Sequence, residues 1–309
     1  MSFKIIAIGE LLWDLLPTKK VLGGAPANFA YHTHAMGAES LIVSRIGNDA
    51  LGRELRLRLA EMGLRTDGIT TDPIAPTGVV SVALDARGVP NFTIHENVAW
   101  DFLAPSPAVL AEAGGADAVY YGSLGQRHPV ARGVIRRFLQ SAPLAALRVF
   151  DINLRQNFYT REILEESLQA ANVFKLNDDE LPVVARLVGL AGSKSSLLEQ
   201  LAARYELRVV ALTRGDQGST LWVDGELISR PVEPIAALTD TVGAGDSYTA
   251  ALVMGLLAGH EPEQIIDQAH RVASFVCTQF GGTPALPEEL RRLFTVADGI
   301  GNTKNICAA

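Results

Sequence analysis

Cysteine is scarce in this sequence of 309 residues, where Cys277 and Cys307 are the whole complement. Two distant thiols exclude a disulfide-stapled scaffold, and they do not have the spacing of metal ligands. Long apolar runs are missing as well, since no stretch reaches the roughly 18 residues that a membrane span requires. A reducing compartment fits these absences. Because the sequence starts with a strand-like run and not with a secretory leader, we expect a cytoplasmic location.

Basic clusters are also missing, and the formal net charge is −7 with a pI near 5.4. This balance argues against nucleic acid and anionic membranes as partners. Neither GxxxxGK[ST] nor a GxGxxG after a strand occurs, so a Walker-type ATPase and a dinucleotide-binding domain have no support. The six histidines lack metal-site spacing. An anionic ligand would therefore be held locally, by helix dipoles, a few basic side chains and a metal ion.

The residues that are present, 48% hydrophobic and 20% charged, are typical of a well-packed globular protein. Short apolar runs that predict strands alternate with helical patterns. The predicted strands are Phe3–Ile8, Ser40–Ser44, Ala118–Tyr121, Val149–Ile152, Val173–Leu176 and Val209–Thr213, followed by a hairpin of Ser219–Val223 and Glu226–Ser229. The predicted helices include Ala27–Met36, Leu51–Met62, Val130–Gln140, Ile163–Ala171 and Lys194–Tyr205. This alternation favours an α/β protein with a parallel sheet covered on both faces, whose ligands bind beyond the carboxyl ends of the strands.

Two segments, residues 10–22 and 77–102, interrupt the alternation. The second contains β-type runs, Val79–Leu84 and Val89–Ile94, around the polar turn Asp85–Gly88, which together predict a hairpin. No repeat, low-complexity segment or linker divides the chain. We therefore predict one domain over the whole chain, with a small sheet built from these two segments.

The stretch Leu238–Val253 carries the strongest candidate chemistry. The glycines of Gly243–Gly245 permit a sharp turn close to a ligand, and the small, apolar run Ser247–Ala258, with Gly259 behind it, predicts a buried helix. The N-terminus of such a helix offers unpaired N–H groups and partial positive charge to a phosphate. In that field an ionised Asp246 could accept the proton of an attacking hydroxyl, or it could simply cap the helix. The stretch taken alone leaves both interpretations open.

A glycine-rich turn, Leu22–Asn28, precedes the first predicted helix. Gly23 and Gly24 permit close backbone approach, and the amide of Asn28 can donate and accept hydrogen bonds, which suits a polyol. A plain tight turn with a capped helix explains the same residues. Asp14 lies among leucines and a tryptophan, where an isolated carboxylate needs partners that protein groups or sugar hydroxyls can supply.

Polar residues also follow three later strands. The first set alternates along the chain and would share one side if the strand continues: Asp151, Asn153 and Arg155. The second set, Asn177 and Glu180, begins a helix, and helix capping explains it nearly as well as metal or phosphate binding does. The third, Thr213–Gly218, contains two glycines and could line a nucleotide.

These motifs together resemble the ribokinase-like (PfkB) family of carbohydrate kinases. Gly23–Asn28, followed by Gly37 and Gly47, is similar to the first motif of the family, and Asp240–Asp246 is similar to the second. Both long motifs occur in the family's order. With the pair at 177 and 180 and the loop at 213–215 they cover nearly the whole chain, so the resemblance is specific.

The resemblance implies a ribokinase-like three-layer α/β fold with a mostly parallel central sheet, a β-sheet lid over the sugar, and Mg-ATP as phosphoryl donor. It implies Asp246 as general base beside an anion hole formed by Gly243, Ala244 and Gly245. The residues implied at the sugar are Asp14, Gly23, Gly24, Asn28 and Arg155. The residues implied at the nucleotide are Asn177, Thr213, Arg214, Gly215 and Gly218. Asn177 and Glu180 would order the Mg²⁺ ion and its waters, and Asp240 is a candidate ligand of a monovalent cation such as K⁺.

Within the family, Gly9–Pro17 and Gly23–Tyr31 most resemble bacterial fructokinases. Ribokinases carry an asparagine two residues before the substrate-binding aspartate, where this sequence has Leu12, which speaks against ribose. We therefore expect an ATP-dependent fructokinase that forms fructose 6-phosphate. Because Arg155 could hold a carboxylate, a kinase for 2-keto-3-deoxygluconate, or for another sugar or a nucleoside, is the alternative. A catalytically inactive sugar sensor is an alternative of a different class. The intact Gly243–Asp246 argues against it, because a sensor has no use for a base beside a phosphate site.

The lid carries one further expectation. A small sheet that stands off a domain must bury its apolar face against ligand, core or another subunit. We therefore expect a homodimer joined through the lids.

Overall fold

The computed structural model describes residues 2–16, 19–84, 90–235 and 237–294. Its strands are β1 (Lys4–Ile8), β2 (Leu12–Leu15), β3 (Lys20–Gly23), β4 (Glu39–Gly47), β5 (Ile69–Asp72), β6 (Gly78–Leu84), β7 (Pro90–Ile94), β8 (Ala118–Gly122), β9 (Leu147–Asp151), β10 (Val173–Asn177), β11 (Val209–Thr213), β12 (Ser219–Val223) and β13 (Glu226–Arg230). Its α-helices are α1 (Ala25–Ala35), α2 (Ala50–Glu61), α3 (Pro107–Ala111), α4 (Pro129–Ser141), α5 (Arg161–Ala170), α6 (Glu180–Val188), α7 (Lys194–Tyr205), α8 (Ala244–Ala258), α9 (Pro262–Cys277) and α10 (Glu288–Arg291). Short 3₁₀ turns occupy Ala99–Phe102, Glu112–Gly115, Leu124–Gln126, Gly215–Gln217 and Arg292–Phe294.

Nine of the described strands form one large sheet in the order β13-β12-β11-β10-β9-β8-β1-β4-β5. Every pair from β11 to β5 is parallel, and β12 and β13 add an antiparallel hairpin at one edge. The strands and the hairpin predicted from apolar runs all form, within a few residues of the expected bounds. The mostly parallel architecture is therefore confirmed.

Helices cover both faces of this sheet because its strands are apolar on both sides. In β1, Ile5 and Ala7 belong to the core on one face, whereas Ile6 and Ile8 belong to the core on the other. The first core is completed by α1, α2, α8 and α9, and the second by α3 to α7. A strand buried on both faces reads as a continuous apolar run, which is the pattern that predicted it.

The two interrupting segments form a separate four-stranded sheet in the order β3-β2-β6-β7. One side of it packs on a small third core that includes Leu12, Val80, Trp100 and Leu124, the last from the loop after β8. The hairpin arms form as β6 and β7, and the predicted turn Asp85–Gly88 lies outside the described residues. The chain enters this small sheet shortly after β1 ends, and Leu124 joins its core from the loop after β8, so the small sheet lies near the carboxyl ends of these two strands. Its action as a lid stays a prediction.

The predicted helices also form, and one long helix was not predicted. This helix, α9, packs on α8, where Gly255 allows close approach: a Cβ placed on it would stand 2.9 Å from Ile265 Cγ1. Cys277, the described cysteine, is buried and unpaired at the end of α9. Among the described helices, none has the length and apolar character needed to cross a bilayer.

Candidate active site

The N-terminus of α8 makes a tight turn against the loop at Gly282. Gly243, its N-cap, has a φ of +77°, and a Cβ placed on it would stand 2.5 Å from the Cα of Gly282. Only glycine tolerates both this left-handed conformation and this close approach. The predicted start of this helix was Ser247, but the helix begins earlier, at Ala244. Asp246 therefore lies within the first turn, whose N–H groups have no intrahelical partners.

The carboxylate of Asp246 is buried and does not cap the helix. Its Oδ2 accepts a hydrogen bond of 2.8 Å from Asn28 Nδ2, and its Oδ1 accepts a longer one of 3.4 Å from Asn153 Nδ2. Burial, followed by the negative charge of Asp151, raises the pKa of Asp246 from the ordinary 3.8 to about 6, and the bond from Asn28 opposes the rise. At neutral pH the group is therefore ionised and binds a proton more tightly than an exposed aspartate, as a general base should.

Helix α1 positions Asn28 for that contact. Its N-cap, Gly24, has a φ of +108°, and a Cβ placed there would stand 2.5 Å from the backbone oxygen of Glu10. The glycine thus lets the start of α1 approach the chain that follows β1. Asn28 Oδ1 is buried and has no hydrogen-bond partner in the described part of the chain, so it is available to a ligand hydroxyl.

Asp14 lies on β2, the strand paired with β3 in the small sheet. Its carboxylate faces Gly23, where a Cβ would stand 2.5 Å from Asp14 Oδ2, so the glycine makes room for the acid. Burial raises the pKa of Asp14 from 3.8 to about 6, and the positive charge of Arg155 opposes the rise. The structure therefore places Asp14 against Gly23, the residue before the N-cap of α1, and the role of these residues at the sugar stays a prediction.

Arg155 is the cation of this region. Burial raises the pKa of three surrounding acids, Glu10, Asp14 and Asp246, and the positive charge of Arg155 opposes each rise. Asp151, Asn153 and Arg155 do not share one side of a strand, because β9 ends at Asp151 and Asn153 has a φ of +44°. From this left-handed turn Asn153 donates a hydrogen bond to Asp246, whereas the side chain of Asp151 is buried in the protein.

Glu10 is a buried acid that the sequence motifs did not single out. Its Oε1 accepts a bond of 3.3 Å from Ala25 N at the start of α1, and its Oε2 is buried without a partner among the described residues. Burial raises the pKa of Glu10 from 4.5 to about 7. The signal was available, because Glu10 comes two residues after a predicted strand, at the edge where open α/β sheets bind ligands.

Asn177 and Glu180 form a reciprocal cap at the start of α6. Asn177 Oδ1 accepts from the N–H of Glu180, while Glu180 Oε2 accepts from the N–H of Asn177, at 2.9 and 2.8 Å. Glu180 Oε1 accepts from Leu154 N at 2.9 Å, so each carboxylate oxygen already accepts one backbone N–H hydrogen bond. A carboxylate has about four acceptor positions, so two remain for metal-bound waters. The pair therefore fits an indirect role at Mg²⁺ through water, with oxygen donors that this ion prefers.

The loop after β11 turns sharply towards β13. Gly218 has a φ of +83°, and a Cβ there would stand 2.0 Å from Arg230 O, so this position requires glycine. Gly215 is also left-handed at +54°, Arg214 N donates to Gly218 O at 2.8 Å, and Thr213 Oγ1 donates to Leu176 O at 3.4 Å.

A cavity of about 530 Å³ opens where the chain leaves β13. Its walls are Pro231, Val232, Glu233, Pro234 and Ile235 on one side, and Asp267, His270, Arg271, Ser274, Phe275 and Thr278 on the other. Of the loop predicted to line a nucleotide, Gly218 contacts this region through Pro231. The cavity walls were not predicted, because they depend on α9.

Asp240 anchors the segment before α8. Its Oδ1 accepts from Val242 N and its Oδ2 accepts from Gly281 N, each at 3.0 Å. The carboxylate of this candidate cation ligand thus joins the segment before α8 to the loop after α9. That role stays a prediction.

Together, the open α/β sheet, the glycine-capped N-terminus of α8 and the buried carboxylate in its first turn are typical of enzymes that transfer phosphoryl groups to small molecules. Residues 15–289 match the pfkB family carbohydrate kinases, and the chain belongs to this family. The ribokinase-like fold predicted from the motifs is thereby confirmed, and the protein is an ATP-dependent carbohydrate kinase.

Known relatives cover nearly the whole chain. The chain is similar to a fructokinase of Klebsiella pneumoniae, at 28% identity over 94% of this chain and 99% of that protein. It is similar to an uncharacterized sugar kinase from Pyrococcus horikoshii in complex with ATP, with a TM-score of 0.79 and 26% identity over 94% of this chain and 99% of that chain. It shares its fold with aminoimidazole riboside kinase from Salmonella enterica, with a TM-score of 0.76 and 23% identity over 94% of this chain and 100% of that one.

Proposed function

We propose that this carbohydrate kinase is a fructokinase, which transfers the γ-phosphoryl group of ATP to the 6-hydroxyl of D-fructose. The observation that supports it most is the buried carboxylate of Asp246 in the first turn of α8, held by Asn28 and Asn153. A helix end that attracts phosphate and a base of raised proton affinity meet at this point. The fructokinase relatives support the choice of sugar.

In the proposed reaction the sugar hydroxyl gives its proton to an oxygen of Asp246. The hydroxyl oxygen then bonds to the γ-phosphorus as the bond from that phosphorus to the β,γ-bridging oxygen breaks, and ADP leaves. The N–H groups of the first turn of α8 stabilise the negative charge on the transferred group. Phosphoryl transfer needs little covalent chemistry from the protein, so positioning and charge account for most of the rate.

The nucleotide is assigned to the cavity beside Gly218. A volume of about 530 Å³ lies within the usual range of small-molecule sites, and this cavity has both apolar and charged walls. The charge of Glu180 acts on Lys175, whose Nζ lies beside Gly245 in the first turn of α8. Near this turn, Asn177 and Glu180 would hold Mg²⁺ through its waters. The metal ion would neutralise charge on the β- and γ-phosphates when bound.

The sugar is assigned to the space between the two sheets. Asp14 and Asn28 offer acceptors for hydroxyl groups, and Glu10 adds a third. In the described residues Gln156 Nε2 donates to Phe92 O at 2.7 Å, which ties the small sheet to the loop that carries Arg155. Closure of this lid would exclude water that otherwise hydrolyses ATP.

A kinase for 2-keto-3-deoxygluconate is the second candidate, and Arg155 is the reason. This guanidinium is exposed, donates to the adjacent Leu154 O at 3.0 Å and lies among three acids of the site. A sugar carboxylate would add a bidentate partner. A nucleoside kinase and a sugar sensor without activity are the remaining outcomes.

A coupled ADP-release assay over fructose, ribose, 2-keto-3-deoxygluconate and adenosine tests the proposal. We expect fructose to be preferred by at least about tenfold in kcat/KM, or roughly 1.4 kcal/mol of transition-state binding. A higher kcat/KM for the sugar acid would replace fructose by that substrate. Sugar binding without ADP release from any substrate would support the sensor.

A further inference from the structure

A buried ion pair lies beneath the first turn of α8. Lys175 in β10 is the register neighbour of Asp151 in β9, and its Nζ lies 3.1 Å from Asp151 Oδ1. The two side chains are 6% and 0% exposed. The other oxygen, Asp151 Oδ2, accepts a hydrogen bond of 2.8 Å from Thr249 Oγ1 of α8. The pair therefore connects the middle of the sheet to the helix that carries Asp246.

The ammonium group of Lys175 reaches the candidate anion hole. A Cβ placed on Gly245 would stand only 3.1 Å from Lys175 Nζ. In the part of the chain that the structure describes, Asp151 is the one hydrogen-bond acceptor of this ammonium, which has three N–H donors. Two N–H groups therefore remain for an oxygen of a ligand or of a bridging water.

Stability alone is a weak reason for such a pair. Removing two charges from water is costly, and replacing a buried pair by apolar residues is often neutral or stabilising. The charged groups that face Lys175 are Asp151, Glu180 and Asp246. Burial alone would lower the pKa of Lys175, but these three negative charges raise it, so the ammonium stays charged at neutral pH.

We propose that Lys175 supplies a fixed positive charge beneath Gly243–Gly245 and is a positioning residue for phosphoryl transfer. This inference rests on the proposed function. The ammonium of Lys175 stabilises the negative charge of the γ-phosphoryl group, and the N–H groups of the first turn of α8 bind the same group. It also offsets the effect of Asp151 on Asp246, whose other charged neighbours are Arg155 and Glu10.

The first test compares Lys175→Met with the double variant Asp151→Asn/Lys175→Met. The single variant leaves a buried carboxylate without its partner, whereas the double variant removes both charges. We expect kcat with the preferred sugar to fall about 100-fold in both, with KM for the sugar changed by less than about threefold, because the missing charge acts on the transferred group. If Lys175 served only to neutralise Asp151, the double variant would recover the kcat of Asp151→Asn.

The second test uses the pH profile of kcat/KM. Lys175 lowers the pKa of Asp246 and Asp151 raises it. Lys175→Met should therefore move the acidic limb of the profile up by about one pH unit, and Asp151→Asn should move it down by a similar amount. A purely structural pair predicts no such opposite shifts.

Arg45→Met is the control, because Arg45 of β4 forms a largely buried pair with Asp72 of β5, the edge strand of the large sheet. It should lower the melting temperature without lowering kcat. Lys175→Met or the double variant with kcat within threefold of wild type would overturn the inference while leaving the kinase intact. A wild-type protein that releases no ADP with any substrate would instead overturn the proposed function, and this inference with it.

Discussion

Replacing Asp246 by asparagine distinguishes a general base from a structural carboxylate. The amide keeps the size of the side chain, but it cannot take up the proton of the sugar hydroxyl. We expect kcat to fall about 10²- to 10⁴-fold, or about 3 to 5 kcal/mol of barrier, while KM for sugar and for ATP changes little. A merely capping aspartate would tolerate the change almost without cost, since the two residues cap helices about equally well.

The same substitution should flatten the pH dependence of stability. Burial raises the pKa of Asp246 from 3.8 to about 6, so between these values the folded protein binds more protons than the unfolded chain. The stabilisation by the protonated form is complete below about pH 4 and is lost as pH rises through about 6. The rise in pKa corresponds to about 3 kcal/mol between pH 4 and pH 8, which asparagine, having no charge, does not lose.

Steady-state kinetics and urea unfolding at pH 4 and pH 8 measure the two effects. Comparing each variant with itself at the two pH values cancels the altered hydrogen bonds to Asn28 and Asn153. Asp224→Asn, at an exposed turn with a φ of +49°, is the control and should change neither quantity. More than about a tenth of the wild-type kcat in Asp246→Asn would refute the base role, and an unchanged loss of stability would refute the argument from burial.

Three further predictions concern the sugar, the turn and the lid. Asp14→Ala should raise KM for the sugar about tenfold or more and leave KM for ATP nearly unchanged, because the ligands lie on opposite sides of the transferred group; equal losses would indicate a folding role. Gly243→Ala should cost about 2 kcal/mol or more in urea unfolding, whereas Gly259→Ala, also left-handed but facing open space, should cost only about 1 kcal/mol; equal costs would contradict the clash with Gly282. Light scattering should show a dimer at micromolar concentration if the small sheets pair, and a monomer would exclude the lid-joined homodimer.

The sequence predicts the elements of this fold better than their ends and contacts. Apolar runs and helical periods locate the central strands because each strand is buried on both faces. The helix α9 was missed although its buried residues repeat at helical spacing, at Ile265, Ile266, Ala269, Val272 and Val276. Without that helix, the cavity between it and the chain after β13 could not be predicted.

Some residues of the candidate site can likewise be predicted from the sequence, whereas their contacts cannot. Glycine-rich turns identify Gly24, Gly243 and their neighbours because a left-handed or crowded backbone leaves a compositional trace. The contact of Asn153 with Asp246 leaves no such trace, since it depends on one left-handed residue after β9. Lys175 did leave a trace, as a charge inside an apolar strand, but its partner in the neighbouring strand is specified by the register and not by local sequence.

The hydrogen bond between Asn28 and Asp246 joins residues 218 positions apart. Neither half of the site can therefore exist on its own, because the amide and the carboxylate orient each other only after the intervening sheet has formed. Closing so long a loop comes late in folding for entropic reasons. During synthesis, the first glycine turn must wait for about two thirds of the chain before its partner emerges. We therefore expect recovery of activity in refolding to follow recovery of helix.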